Sequence, residues 1–126
     1  MKEKVPFSLK HRMRAFKYAL NGLKILIGEE HNARIHLSVT VVVILAAIAL
    51  RVSSGEWLAL ILVIALVFSL EAINSALENL CNFVQPDLHE SIKRIKDLSA
   101  GAVFIAAAAA VAVGLIIFVP KVIEHL

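Results

Sequence analysis

The sequence predicts an all-α integral membrane protein: an N-terminal amphipathic interfacial helix followed by three transmembrane helices, forming a single domain over residues 1–126. Two observations carry this. Of the 126 residues, 60% are hydrophobic and only 18% charged, against a usual apolar share of about 45–50%. A chain this short leaves much of its surface exposed, so the excess apolar area needs lipid or a partner chain. The apolar residues also fall into three long runs separated by charged segments.

Residues 7–27 form the surface helix. Phe7, Met13, Phe16, Leu20, Leu23 and Leu26 alternate with Lys10, Arg12, Arg14, Lys17 and Lys24. That is too many charges to cross a bilayer, but it suits a helix lying in the anionic headgroup interface; a soluble packing helix is the plain alternative. The basic residues stand among apolar ones beside hydrophobic spans, which favours lipid headgroups over nucleic acid as the partner for the net charge of +3.

The first span is predicted over about 35–51, IHLSVTVVVILAAIAL between Arg34 and Arg51. Its apolar run rises about 24 Å as a helix, short of the ~30 Å hydrocarbon thickness, so snorkelling ends or continuing helix make up the difference. The second, 57–83, runs from Trp57 through Glu71 without a helix breaker and stops before Pro86. The third, 98–119, contains Gly101, alanines 106–110 and Gly114, small residues that allow close helix approach, and is expected to close at Pro120.

Eight basic residues precede the first span: Lys2, Lys4, Lys10, Arg12, Arg14, Lys17, Lys24 and Arg34. Lys93, Arg94 and Lys96 lie between spans two and three, and only Arg51 and Lys121 occupy the other side. The positive-inside rule places the N-terminus and an 84–97 loop in the cytoplasm. No cleavable leader is expected from the charged start. The single Cys81 removes disulfide and zinc frameworks.

Chemistry concentrates on the second span. Glu71, Asn74, Glu78 and Asn82 fall within roughly an 80° arc at 100° per residue, and ionisable groups in a membrane span are a functional hypothesis by default. Two carboxylates and two carboxamides on one face suit a hard cation and a hydroxyl. A polar seam that only joins helices is the plain alternative. Three thin helices are not expected to shelter these groups alone, so neighbouring subunits should complete the enclosure.

Before the first span stand Glu29, Glu30, His31, Asn32, Arg34 and His36; after the second come Asp87, His89, Glu90, Lys93, Arg94, Lys96 and Asp97. Each cluster alone reads as solvated surface. Gathered at the mouth of the Glu71 stripe, they are an inventory for phosphoryl transfer, which uses a metal on the phosphates, a cation against the transferred charge and a carboxylate on the acceptor hydroxyl. The chain lacks the glycine-to-lysine spacing of a P-loop. A carboxylate partly desolvated at the membrane boundary accepts a proton more readily than a hydrated one. Glu78 stands about 10 Å further along the axis.

EAINSALENLCNFV from Glu71 to Val84 and PDLHESIKRIKDLSAGAV from Pro86 to Val103 resemble the prokaryotic diacylglycerol kinase family, small trimeric membrane kinases that include undecaprenol kinase. Tyr18, Gly22, Glu30, Asn32, Arg34 and His36 resemble the family's interfacial helix and the start of its first span, so the likeness extends over about residues 12–119. It implies a homotrimeric lipid kinase of the bacterial inner membrane, using ATP and Mg2+ to phosphorylate a lipid alcohol. Undecaprenol is favoured by the Glu30–His36 segment, with diacylglycerol the runner-up. By this resemblance Glu71 is the catalytic base and Glu30 and Glu78 hold the metal. Arg14, Tyr18, Glu30, Glu78, Asp87, His89, Lys96 and Asp97 line the nucleotide site, and Asn74, Arg34 and Asn82 support it or the lipid. Many family members carry Asp where this chain has Asn82. The alternatives are a non-catalytic oligomeric bundle using its glutamates for cations or protons, and a degenerate lipid-binding member.

Overall fold

A computed structural model describes residues 6–126, all helix and connection, with no strand among them. Lys2 and Lys4 lie outside the described residues. The order is α1 (Leu9–Glu29), α2 (His31–Ala49), α3 (Ser54–Val84) and α4 (Glu90–Glu124). The last three are each long and apolar enough to cross a membrane.

α1 starts two residues later than the periodicity predicts, because the Ser8 hydroxyl accepts the His11 N–H at 3.4 Å and caps it. It also runs on to Glu29. Only Glu30 separates α1 from α2, with extended backbone at φ −97°, ψ 112°. Its N–H still donates to the Leu26 carbonyl and its own carbonyl accepts from Arg34, so the chain changes direction with neither group unpaired. α2 consequently begins at His31, four residues before the predicted span, and supplies the length that the apolar run lacked.

The α2–α3 connection is a Schellman motif. Arg51 N–H reaches the Ile48 carbonyl and Val52 N–H the Ala47 carbonyl, with Arg51 at φ 53° in the left-handed position usually given to glycine. Val52 and Ala47 are buried together with Leu60 and Ile117. α3 then starts on a capping box: the Ser53 hydroxyl accepts the Glu56 N–H and the Glu56 carboxylate accepts the Ser53 N–H. Glu56 also pairs with Lys121 of α4 at 3.0 Å.

Two expectations for the third span are corrected. The 84–97 segment is a loop only over 85–89; His89 caps α4 by accepting the Ser91 N–H, and Lys93 and Asp97 pair one turn apart, so residues 90–97 are already helical. Pro120 does not end the helix, which continues to Glu124. The turn beyond the proline is held to α3 by Lys121–Glu56 and the turn before it is anchored by buried Ile117, contacts that offset the backbone hydrogen bond the proline removes.

α3 and α4 form the principal pairing. On α4, buried Ser99, Ala106 and Ile117 lie on one face, and it is serine and alanine that let the helices approach. A Cβ added at Gly101 or Gly114 would meet nothing within 4 Å, so those glycines serve no close contact inside the chain. On α3, buried Leu60, Val67, Glu71, Ser75 and Cys81 fall within roughly a 120° arc. This face is apolar near the α2–α3 turn and polar toward the Glu30 end. The chain exposes 9963 Å², where a soluble monomer of its mass would expose about 6,600 Å². The excess is largely apolar side chains on all four helices.

Candidate functional site

The polar half of the α3 face forms three levels, set by helical spacing at positions 71, 75 and 78. At the deepest, Glu71 is 3% exposed, and its Oε1 lies 3.1 Å from His36 Nε2 on α2. The His36 ring stands edge-on to Phe68, 6.5 Å between centroids. One turn nearer the polar end, buried Ser75 donates its hydroxyl to Glu30 Oε1 at 2.7 Å. At the third level, Asn74 Nδ2 donates to Glu78 Oε1 at 3.3 Å, and Asn74 Oδ1 is buried with no hydrogen-bond partner among the described residues.

The break at Glu30 positions this set. A continuous α1–α2 helix would carry Glu30 past α3; the extended residue instead turns its side chain onto Ser75 and starts α2 so that His36, a turn and a half on, reaches Glu71. Ala33, between them, is fully buried. Within one chain Glu71 and Ser75 are already buried. The outer part remains open: Asn74 and Glu78 are half-buried and Asn82 is exposed.

Where α3 meets α4, Lys96 Nζ donates to Asn82 Oδ1 at 2.7 Å. Asp97 pairs with Lys93 at 2.6 Å. His89 spends Nδ1 on the α4 cap. Arg14, Tyr18, Arg34 and Asp87 are exposed, and their side chains make no hydrogen bond or ion pair among the described residues. Along this face of α3 the structure makes three separate contacts, Glu71 with His36, Ser75 with Glu30 and Asn74 with Glu78; it joins Lys96 to Asn82 and brings Arg14, Tyr18, Arg34 and Asp87 into no side-chain hydrogen bond or ion pair with them.

Two members of the set are absent from the residues the sequence singles out for roles. Ser75 lies just beyond the edge of the 80° stripe, and its place between Glu71 and Glu78 was the available signal. His36 stood in the Glu30–His36 segment, but only the break at Glu30 shows what it meets.

All the donors here that could face a cation are oxygens: the carboxylates of Glu30 and Glu78 and the unpartnered amide oxygen of Asn74. Among the described residues no group of three His, Cys, Asp or Glu could enclose a metal. Two carboxylates with an open side match a hard ion such as Mg2+, which is commonly bound by one or two carboxylates and takes its remaining ligands from phosphates and water. Beside them Glu71 offers a carboxylate with one oxygen engaged.

A sequence model described as prokaryotic diacylglycerol kinase matches residues 17–118. The chain is 32% identical over 108 residues to an undecaprenol kinase of Bacillus subtilis, covering 86% of this chain and 88% of the relative. It is 38% identical over 111 residues to a diacylglycerol kinase of Synechocystis, covering 87% of this chain and 63% of that longer relative. To a diacylglycerol kinase of Haemophilus influenzae it is 32% identical over 98 residues, covering 78% and 83%.

Proposed function

The chain belongs to the prokaryotic diacylglycerol kinase family, and on that premise we propose that it transfers the γ-phosphate of ATP to the hydroxyl of undecaprenol at the cytoplasmic face of the bacterial inner membrane. Diacylglycerol is the competing acceptor. The observation that carries this reading is the state of Glu71: buried, one oxygen on His36, the second without a hydrogen bond among the described residues. Such a carboxylate can take a proton at that second oxygen.

In the reaction the lipid hydroxyl gives its proton to Glu71 while its oxygen bonds to the γ-phosphorus. The bond from that phosphorus to the β–γ bridging oxygen breaks in line, and ADP leaves with the electron pair. Glu30 and Glu78 would hold Mg2+, which when bound offsets charge on the phosphates. Ser75 fixes Glu30 and Asn74 fixes Glu78. Lys96, whose described partner is the neutral amide of Asn82, keeps its full charge for phosphate. Arg14, Tyr18, Asp87, His89 and Asp97 border the nucleotide, and Arg34 stands at the lipid side. The exposed Met13, Phe16 and Leu20 of α1 and Phe7 just before it, with the helix's basic residues, set that helix on an anionic membrane surface. A homotrimer, as the family resemblance implies, would cover part of the apolar area that the spans expose.

The acceptor preference rests on the segment Glu30–His36 and on the near full-length likeness to the undecaprenol kinase. Purified protein given ATP labelled at the γ-phosphate and equal amounts of both lipids should place label mainly in undecaprenyl phosphate. Label mainly in phosphatidic acid would reverse the acceptor; label in neither would overturn the reading.

A further inference from the structure

We propose that His36 is a positioning residue for the transfer, holding one oxygen of Glu71 so that the other is presented to the lipid hydroxyl. This rests on the reading of Glu71 as the proton acceptor. A carboxylate in a site this closed has little water to orient it: Glu71 is 3% exposed, and His36 Nε2 at 3.1 Å is its one side-chain partner among the described residues. A carboxylate only accepts, so a hydrogen bond between them requires the proton on Nε2.

The ring has one further contact beside Glu71. Phe68, on α3 nearly one turn before Glu71, meets it edge-on at an interplanar angle of 76°. Phe68 and Glu71 thus flank the imidazole from one helix, and rotation of the ring would lose either the 3.1 Å polar contact or the aromatic one. With Oε1 occupied, only Oε2 remains for the incoming hydroxyl, and its direction is fixed by the plane of the carboxyl group. The site thereby selects one approach for the acceptor. A carboxylate free to turn would spend much of its time misaligned, and small misplacements at a reacting centre can lower a rate by as much as about 100-fold.

The test uses full-length protein in mixed micelles, with transfer of labelled phosphate measured across ATP and lipid concentrations and nucleotide affinity measured separately. His36→Leu keeps an apolar body and removes the donor; His36→Gln returns an amide N–H close to the position of Nε2. His36→Leu is expected to lower kcat about tenfold or more while leaving the KM for ATP and its affinity unchanged. His36→Gln should recover most of that loss. In a Glu71→Gln background, His36→Leu should cost nothing further, since the group it orients is gone.

Wild-type kcat in His36→Leu would overturn the proposal, as would a His36→Gln protein as slow as the leucine variant with nucleotide affinity intact. If His36→Leu fails to fold, the glutamine variant and the Glu71→Gln pair decide: a loss from His36→Gln that persists undiminished without Glu71 counts against it. Failure of the wild-type protein to label either lipid would instead remove the kinase reading itself, a result distinct from an active enzyme indifferent to His36.

Discussion

Glu30 and Ser75, 45 positions apart, meet in a 2.7 Å hydrogen bond that fastens the single non-helical residue between α1 and α2 to the middle of α3. Ser75 is buried, so the carboxylate it holds is presented from one direction. A hydrogen bond to a charged group contributes about 1.5–3 kcal/mol. Ser75→Ala should therefore loosen Glu30 and raise the Mg2+ concentration for half-maximal lipid phosphorylation about tenfold, with Ser75→Thr near wild type. An unchanged Mg2+ titration would separate Glu30 from the metal.

At the opposite end, Glu56 both caps α3 and pairs with Lys121, with neither side chain more than 27% exposed. Lys121→Met removes the pair alone and should destabilise by about 1 kcal/mol. Glu56→Ala also removes the side-chain half of the capping box, leaving the Ser53 hydroxyl bond, and should cost more than Lys121→Met. Thermal unfolding in detergent checks the order. Lipid phosphorylation should be unchanged in both, because Glu56 lies about 22 Å along α3 from Glu71.

Arg51 occupies the left-handed position of the α2–α3 turn at φ 53° and is exposed. A non-glycine residue there costs about 1–2 kcal/mol, and glycine gives some of that back in unfolded-state entropy. Arg51→Gly should therefore stabilise by about 1 kcal/mol in the same assay. A lowered melting temperature would mean that the arginine side chain contributes more than its backbone strain costs.

Asn82→Asp would turn the 2.7 Å contact with Lys96 into an ion pair. An exposed pair adds at most about 1 kcal/mol to stability, yet it engages the charge assigned here to phosphate. The KM for ATP should rise about threefold with the lipid KM unchanged; a lower KM for ATP would remove Lys96 from the phosphates.

The parts of the fold legible in the sequence are those that one helix determines alone. Apolar runs mark the three spans, and the 3.6-residue repeat sets Glu71, Asn74 and Glu78 on one face whatever surrounds them. Ser53 and Glu56 carried a readable capping signal, so the start of α3 could have been placed three residues earlier than Trp57. Contacts between helices were not legible. His36–Glu71 and Glu30–Ser75 depend on a change of chain direction at the single residue Glu30, whose position Gly28, still inside α1, does not mark. Pro120 reads as a stop because proline breaks isolated helices, but packing of Ile117 and Lys121 against other parts of the chain carries α4 through it.

The central claim is that the buried Glu71 carboxylate accepts the proton of the lipid hydroxyl, and Glu71→Gln tests it with the least change in shape. General-base catalysis contributes about 100- to 10,000-fold. Phosphorylation of undecaprenol or diacylglycerol should therefore fall by at least about 100-fold, with nucleotide affinity unchanged. A Glu71→Gln protein that phosphorylates lipid at the wild-type rate would contradict the account.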